Sequence, residues 1–137
     1  MNGSCYIYGY ADTATFTIDM HEPFRVEVKD GLIVGWDKNA HASFGKIIAT
    51  ISEFECPLVR EIGFGLNRAI TRERYMQDIT AFERILGLHF SLGEKHSVYK
   101  KEGITAHKAK FHVDVFPLVD RVLVDGEVIF QDRKYLV

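Results

Sequence analysis

Residues 24–36 read FRVEVKDGLIVGW, and this segment carries the clearest structural signal in the chain. Its first half alternates apolar and charged side chains, a pattern typical of a β-strand that buries one face. Asp30 and Gly31 follow, and this dipeptide favours the left-handed backbone of a two-residue hairpin turn. Leu32–Trp36 is apolar again. The segment therefore predicts an antiparallel hairpin.

Strand patterns also occur on both sides of this hairpin. They are short segments rich in aromatic, β-branched or alternating apolar residues: Cys5–Tyr10, Ala14–Ile18, Glu61–Leu66, Leu88–Leu92 and Lys110–Val115. Asp125 and Gly126 predict a second hairpin within residues 121–130. Alternating tyrosines in the first segment indicate either a half-buried strand face or an exposed edge at which a partner strand adds: Tyr6, Tyr8 and Tyr10.

Residues 40–54 show helical rather than strand periodicity. Their apolar residues form one stripe: Phe44, Ile47, Ile48, Ile51 and Phe54. Asn39 is the predicted N-cap of this helix. Thr80 and Glu83 have capping-box spacing, which predicts a further short helical turn. We therefore expect an α+β fold, a mostly antiparallel sheet with one main helix at about residues 40–54 packed on it, in a single domain of residues 1–137.

Composition narrows the class of protein. A hydrophobic share of 47% and a charged share of 26% are typical of a globular domain. Seventeen Lys and Arg face nineteen Asp and Glu, which argues against a nucleic-acid partner. Apolar runs are far shorter than the roughly 20 residues of a membrane span, and the first residues lack the pattern of a secretory signal. We expect a cytoplasmic protein whose two cysteines, Cys5 and Cys56, are free thiols.

The most specific candidate for chemistry is His112-Val113-Asp114. Residues two apart on a strand point to the same face, so His112 and Asp114 can present a nitrogen and a carboxylate to one ion. Glu61 and His89 are further candidate ligands, and this donor set suits zinc, iron or manganese. The alternative is that His112 and Asp114 form a hydrogen-bonded pair or a solvent-facing one. The remaining histidines are predicted to be surface or loop residues: His21, His41, His96 and His107.

Five segments occur in an order that matches a known family. They are residues 24–34, REIGFGLN at 60–67, FERILGLHFSLG at 82–93, HVD at 112–114 and VDGEVIF at 124–130. Together they resemble the C-terminal half of the M29-type metallo-aminopeptidases and of their dihydroxypyridine-dioxygenase relatives. The second segment is similar to that family's Glu-x-Gly-x-Gly-x-Asn motif, and the third to its Gly-x-x-His-x-x-x-Gly motif.

The resemblance implies that several residues are metal ligands or active-site residues, and that other parts of the peptidase site are missing. In the peptidases two glutamates, two histidines and an aspartate hold two metal ions; Glu61, His89, His112 and Asp114 would be four of these ligands. Tyr99 would match the active-site tyrosine. The family's first glutamate, in a Pro-x-Gly-Glu segment, has no counterpart before the first hairpin. The family's N-terminal domain, which forms one wall of the peptidase cleft, also has no counterpart.

The resemblance thus favours a binding protein over an enzyme. The chain is similar to truncated M29-like proteins in pathways for ribosomally made, modified peptides, such as crocagin. By this likeness it would bind a precursor peptide and guide or protect it, without a cofactor, as a homodimer or as a heterodimer with a paralogue. One alternative is a metal-dependent aminopeptidase-like hydrolase or non-haem iron dioxygenase using zinc, manganese or iron. Another is a structural subunit that dimerises to cover an exposed face.

Overall fold

The computed structural model describes residues 1–12, 15–78, 81–93 and 110–136. Within these ranges lie nine strands and one α-helix, with a short 3-10 turn at Phe82–Arg84. The elements are β1 (Gly3–Asp12), β2 (Thr17–Lys29), β3 (Leu32–Trp36), α1 (Ala42–Ser52), β4 (Val59–Gly65), β5 (Gly87–Gly93), β6 (His112–Pro117), β7 (Arg121–Val124), β8 (Glu127–Gln131) and β9 (Lys134–Tyr135). A membrane-spanning helix needs roughly 20 mostly apolar residues, and none of the helices in these ranges meets that requirement.

Six strands form one antiparallel sheet in the order β3-β2-β1-β6-β5-β4, and β7-β8-β9 form a smaller sheet. The large sheet curls into a half barrel. Its two edge strands approach each other at one bridge, between Leu32 and Leu58. Next to this bridge, the Val59 amide donates to the Gly31 carbonyl at 2.8 Å. No described strand pairs with the outer edge of β4 beyond Val59.

The predicted α+β class is wrong. Strands make up 55% of the structure and helices 12%, so the fold is β-rich with one short helix. The strands are longer than their local patterns indicate: the chain stays extended through Thr17–Lys29, including Pro23. The helix is shorter than expected because it ends at Ser52, which leaves Phe54 outside the stripe and 58% exposed.

Both predicted hairpins are confirmed. Lys29 pairs with Leu32 across the first turn, and Val124 pairs with Glu127 across the second. The intervening residues all have positive φ, as this two-residue turn requires: Asp30 51°, Gly31 82°, Asp125 52° and Gly126 88°. Local turn chemistry was therefore a sufficient guide at these two places.

The predicted helix caps differ from the observed ones. α1 is capped by His41 rather than Asn39, because the imidazole accepts a bond from the Ser43 amide. The predicted helical turn after residue 80 is present at Phe82–Arg84, but its N-cap, Ala81, makes no side-chain capping bond. Thr80, the predicted cap, lies outside the described residues.

Both faces of the large sheet are buried at its centre. On one face Phe44 of α1 packs against Tyr10 and Phe24, with ring centroids 5.3 and 5.0 Å apart. On the other face Phe82 packs against Phe116 at 5.9 Å. The Tyr135 hydroxyl, on the small sheet, donates to the carbonyls of Gly65 and Gly87 and so ties the two sheets together. A side chain at the sheet centre is therefore shielded from water whichever face it points to.

Candidate functional site

The four predicted ligands lie on one face of the large sheet. Glu61 on β4 is opposite Ser91 on β5, and Ser91 is opposite Asp114 on β6, so the three form a row across the strands. His89 and His112 are each two residues from a member of this row and therefore share its face. The structure thus gathers all four residues on a common surface. Ser91, fully buried between them, is the member that the sequence patterns did not indicate.

Asp114 is the centre of this polar row. Its side chain accepts hydrogen bonds from Ser91 Oγ at 2.5 Å and from His112 Nε2 at 3.2 Å, and the residue is 5% exposed. Burial works to raise the pKa of the carboxyl, but the bonds from His112 and Ser91 outweigh it and hold the pKa below its ordinary value. Asp114 is therefore a charged, hydrogen-bonded carboxylate at neutral pH.

His89 is enclosed by its neighbours. It is 7% exposed, and its Nδ1 has no hydrogen-bond partner among the described residues. Phe116 lies beside the ring with centroids 5.9 Å apart. Gly63 faces the ring from β4, and a methyl group at position 63 would overlap it. A side chain at position 63 is excluded because the imidazole fills that space.

These four residues do not converge on a point. Among the described residues, no three of them place ligand atoms within 4.8 Å of one another. His112 and Asp114 do meet, as a hydrogen-bonded pair. Tyr99, implied by the resemblance, lies outside the described residues. A metal at this row stays a prediction.

A second polar cluster forms where β2 meets the start of α1. Asp19 and His21 are two apart on β2 and share a face, while His41 precedes the first turn of α1. One ligand atom from each of the three lies within 4.8 Å of the other two. The prediction that His21 is a surface or loop residue is wrong, since it lies on β2 with its side chain 15% exposed. His41 is exposed, but it belongs to the same cluster.

Tyr10 and Ser43 connect the members of this cluster. The Tyr10 hydroxyl is 2.8 Å from His21 Nε2 and 2.5 Å from Ser43 Oγ. Ser43 Oγ donates to Asp19 Oδ2 at 2.9 Å, and it lies 2.7 Å from His41 Nδ1. His21 Nε2 is itself 2.8 Å from Asp19 Oδ2. Every polar side chain in the cluster is thus held by at least one other.

Local surroundings set the charges of the cluster. Burial raises the pKa of Tyr10 to about 12, so this phenol stays protonated. Burial also works to raise the pKa of Asp19, but bonds from His21 and Ser43 outweigh it, and the net pKa is lowered. Asp19 is accordingly an anion at neutral pH. A signal for this cluster was present in the sequence, because Asp19-x-His21 has the same two-residue spacing as His112-x-Asp114.

A third feature is the outer edge of β4. Ile62 and Phe64 are 56% and 39% exposed. Ile62 is opposite Phe90, which places it on the face that α1 covers at the sheet centre. Apolar side chains and backbone groups without a partner strand among the described residues thus occur together. The alternative edge at the N-terminal tyrosines is wrong, because β1 lies inside the sheet between β2 and β6.

Comparison of the chain with protein-family models, with curated proteins and with solved structures gave no match.

Proposed function

We propose that this protein is a non-catalytic peptide-binding accessory protein that takes an extended peptide as an added strand along β4. The observation that carries the proposal is the outer edge of β4 beyond Val59, where no described strand pairs and where the side chains of Ile62 and Phe64 are exposed. An added strand gains main-chain hydrogen bonds from such an edge, and its alternate side chains gain apolar contacts. Edges of this kind are usually blunted by charges or covered.

The other edge strand, β3, is a poorer partner. It has five residues against seven in β4. The exposed aromatic residue of each edge packs on one neighbour, Trp36 on Phe44 with ring centroids 5.6 Å apart and Phe64 on Tyr135 at 6.4 Å, so strand length is what separates the two edges. In β4 the contact with β3 lies at Val59, whose amide donates to the Gly31 carbonyl. The segment after this contact, residues 61–65, has the length of a typical short strand.

The proposal is non-catalytic because the four predicted ligands do not converge within the described residues. Hydrolysis at a two-metal site needs ligands that clamp both the attacking and the leaving oxygen. The resemblance to truncated M29-like proteins supports a precursor peptide of a ribosomally made, modified product as the occupant. It also supports a homodimer or a heterodimer with a paralogue. The identity of the peptide and the dimeric state are both parts of the proposal.

Fluorescence polarisation tests the site with labelled decapeptides of alternating apolar and polar residues. Ile62→Lys and Phe64→Lys should each weaken binding about tenfold or more, since losing one buried apolar contact costs roughly 1.5 kcal/mol. Val34→Lys on β3 is the matched control, because Val34 is 54% exposed and Ile62 is 56% exposed. This control should bind peptide like the parent protein.

Two results would overturn the proposal. In the first, the lysine variants on both edges weaken binding equally, or none does. In the second, the parent protein dimerises through β4, as shown by monomers of Ile62→Lys in sedimentation, and the parent protein itself binds no peptide. Amide hydrogen exchange gives an independent reading, because a bound strand should slow exchange at residues 61–65 and not in β3.

A further inference from the structure

We infer that Asp19, His21 and His41 form a binding site for a divalent cation of the zinc type. This site lies apart from Glu61, His89, His112 and Asp114, and it does not depend on the peptide-binding proposal. Its ligands come from β2 and from the residue that caps α1. A bound ion would therefore fasten the helix to the sheet.

The donor atoms are close to the spacing that one ion requires. Two ligands about 2.0–2.2 Å from a tetrahedral zinc ion are separated by roughly 3.3 Å. Asp19 Oδ2 and His21 Nε2 are 2.8 Å apart, so they need to separate by about half an ångström. The third donor, on His41, lies within the 4.8 Å that spans the group. His41 is exposed and at the end of a loop, so its ring can turn toward the ion.

The rings of the two histidines are already brought together. His21 and His41 have ring centroids 4.4 Å apart and ring planes 17° apart. Tyr10 also stacks on His21, with ring centroids 5.1 Å apart. Nitrogen lone pairs lie in the ring plane, so the nearly parallel rings do not yet aim at one point. The exposed His41 ring has to turn for a cation to bind both imidazoles.

The negative charge of Asp19 favours a bound cation, although the start of α1 opposes one. The amino-terminal end of α1 carries partial positive charge, which opposes a metal ion. The Asp19 carboxylate lies in the same cluster, where Ser43 Oγ donates to it at 2.9 Å, and it offsets that opposition.

Ser43 and Tyr10 would act as orienting groups rather than ligands. Ser43 Oγ contacts both Asp19 Oδ2 and His41 Nδ1. Partners of this kind fix the direction of the ligands, and losing one typically weakens metal affinity 10- to 100-fold. Two imidazoles and one carboxylate suit Zn²⁺ and Co²⁺, or Fe²⁺ in the facial arrangement. Three protein ligands leave at least one coordination position open.

The test is calorimetric titration of the full chain with Zn²⁺, after purification without an affinity-column metal. We expect one ion per chain. Asp19→Asn, His21→Ala and His41→Asn should each weaken binding at least about tenfold, since each removes a direct ligand. His112→Ala is the control and should bind like the parent protein. Titration with Co²⁺ should give visible absorption bands that the same three substitutions abolish.

His41→Asn keeps the test decisive if a β2 variant fails to fold. Asparagine is a favoured N-cap, so α1 retains its cap while the imidazole is lost. Cys56→Ser is a second control, because the exposed Cys56 thiol is itself a zinc ligand type. The inference is overturned if Zn²⁺ does not saturate the parent protein below about 1 mM. It is equally overturned if binding survives His41→Asn or disappears in His112→Ala or Cys56→Ser.

Discussion

Replacing Ser91 with alanine should lower the free energy of unfolding by about 1.5–3 kcal/mol at neutral pH. Ser91 Oγ donates to Asp114 Oδ1 at 2.5 Å, and both residues are almost fully buried. Hydrogen bonds to a charged group contribute about 1.5–3 kcal/mol, and removing the donor leaves a buried carboxylate with one fewer partner. His112 Nε2, at 3.2 Å, remains to solvate it in part.

The cost should depend on pH in a definite direction. The folded pKa of Asp114 is lowered, whereas an aspartate in an unfolded chain titrates at about 3.9. The stabilisation from Asp114 is therefore complete above pH 3.9 and declines as the pH falls through the lower, folded pKa. Ser91→Ala weakens the charged form in particular. The stabilities of variant and parent should accordingly converge below about pH 4.

Urea unfolding, followed by the fluorescence of the single tryptophan, Trp36, measures both effects. The control is Ser4→Ala on the exposed start of β1, which should change stability by less than about 0.5 kcal/mol. A loss below about 0.5 kcal/mol for Ser91→Ala at pH 7 would refute the reasoning. So would a loss that stays constant down to the lowest pH at which the parent protein unfolds cooperatively.

Three further predictions concern packing and reactivity. Phe44→Ala should cost about 3–5 kcal/mol in urea unfolding, because this 1%-exposed ring joins α1 to the sheet. Gly65→Ala should cost about 1–3 kcal/mol by the same assay, since a methyl group there would overlap a neighbouring backbone carbonyl, while Gly35→Ala meets only ordinary contacts and should cost less. Iodoacetamide at pH 8 should label the exposed Cys56 well before Cys5, whose pKa burial raises to about 11; mass spectrometry that found equal labelling would contradict this.

Local chemistry predicted several features correctly. The two Asp-Gly turns, at residues 30–31 and 125–126, need only the positive φ that those residues adopt, so neighbouring residues suffice to specify them. The pairing of His112 with Asp114 needs only the two-residue period of a strand. The free thiols were also expected correctly. Each of these features depends on residues near one another in the chain.

Local sequence patterns did not predict the β-rich fold class or the cluster of Asp19, His21 and His41. The length of α1 and the curl of the sheet depend on how the apolar stripe fits against strands far away in sequence. Edge and interior strands look alike locally, so the tyrosines of β1 could not be assigned to the interior before the strand order was known. The predicted strand ended at Ile18, whereas β2 continues from Thr17 to Lys29. The sequence pattern therefore did not place Asp19 and His21 on a strand.

The sequence by itself determined the turns, the faces of individual strands and the presence of an amphipathic helix. Only the tertiary structure decided which faces meet, which strands lie at an edge and which polar side chains gather. The Tyr10–Asp19–His21–His41–Ser43 cluster illustrates the difference. Its members come from β1, β2 and the start of α1, and only the pairing of Tyr10 with Asp19 and the placement of the helix bring them together. Such contacts depend on register and packing across the chain, which no local pattern encodes.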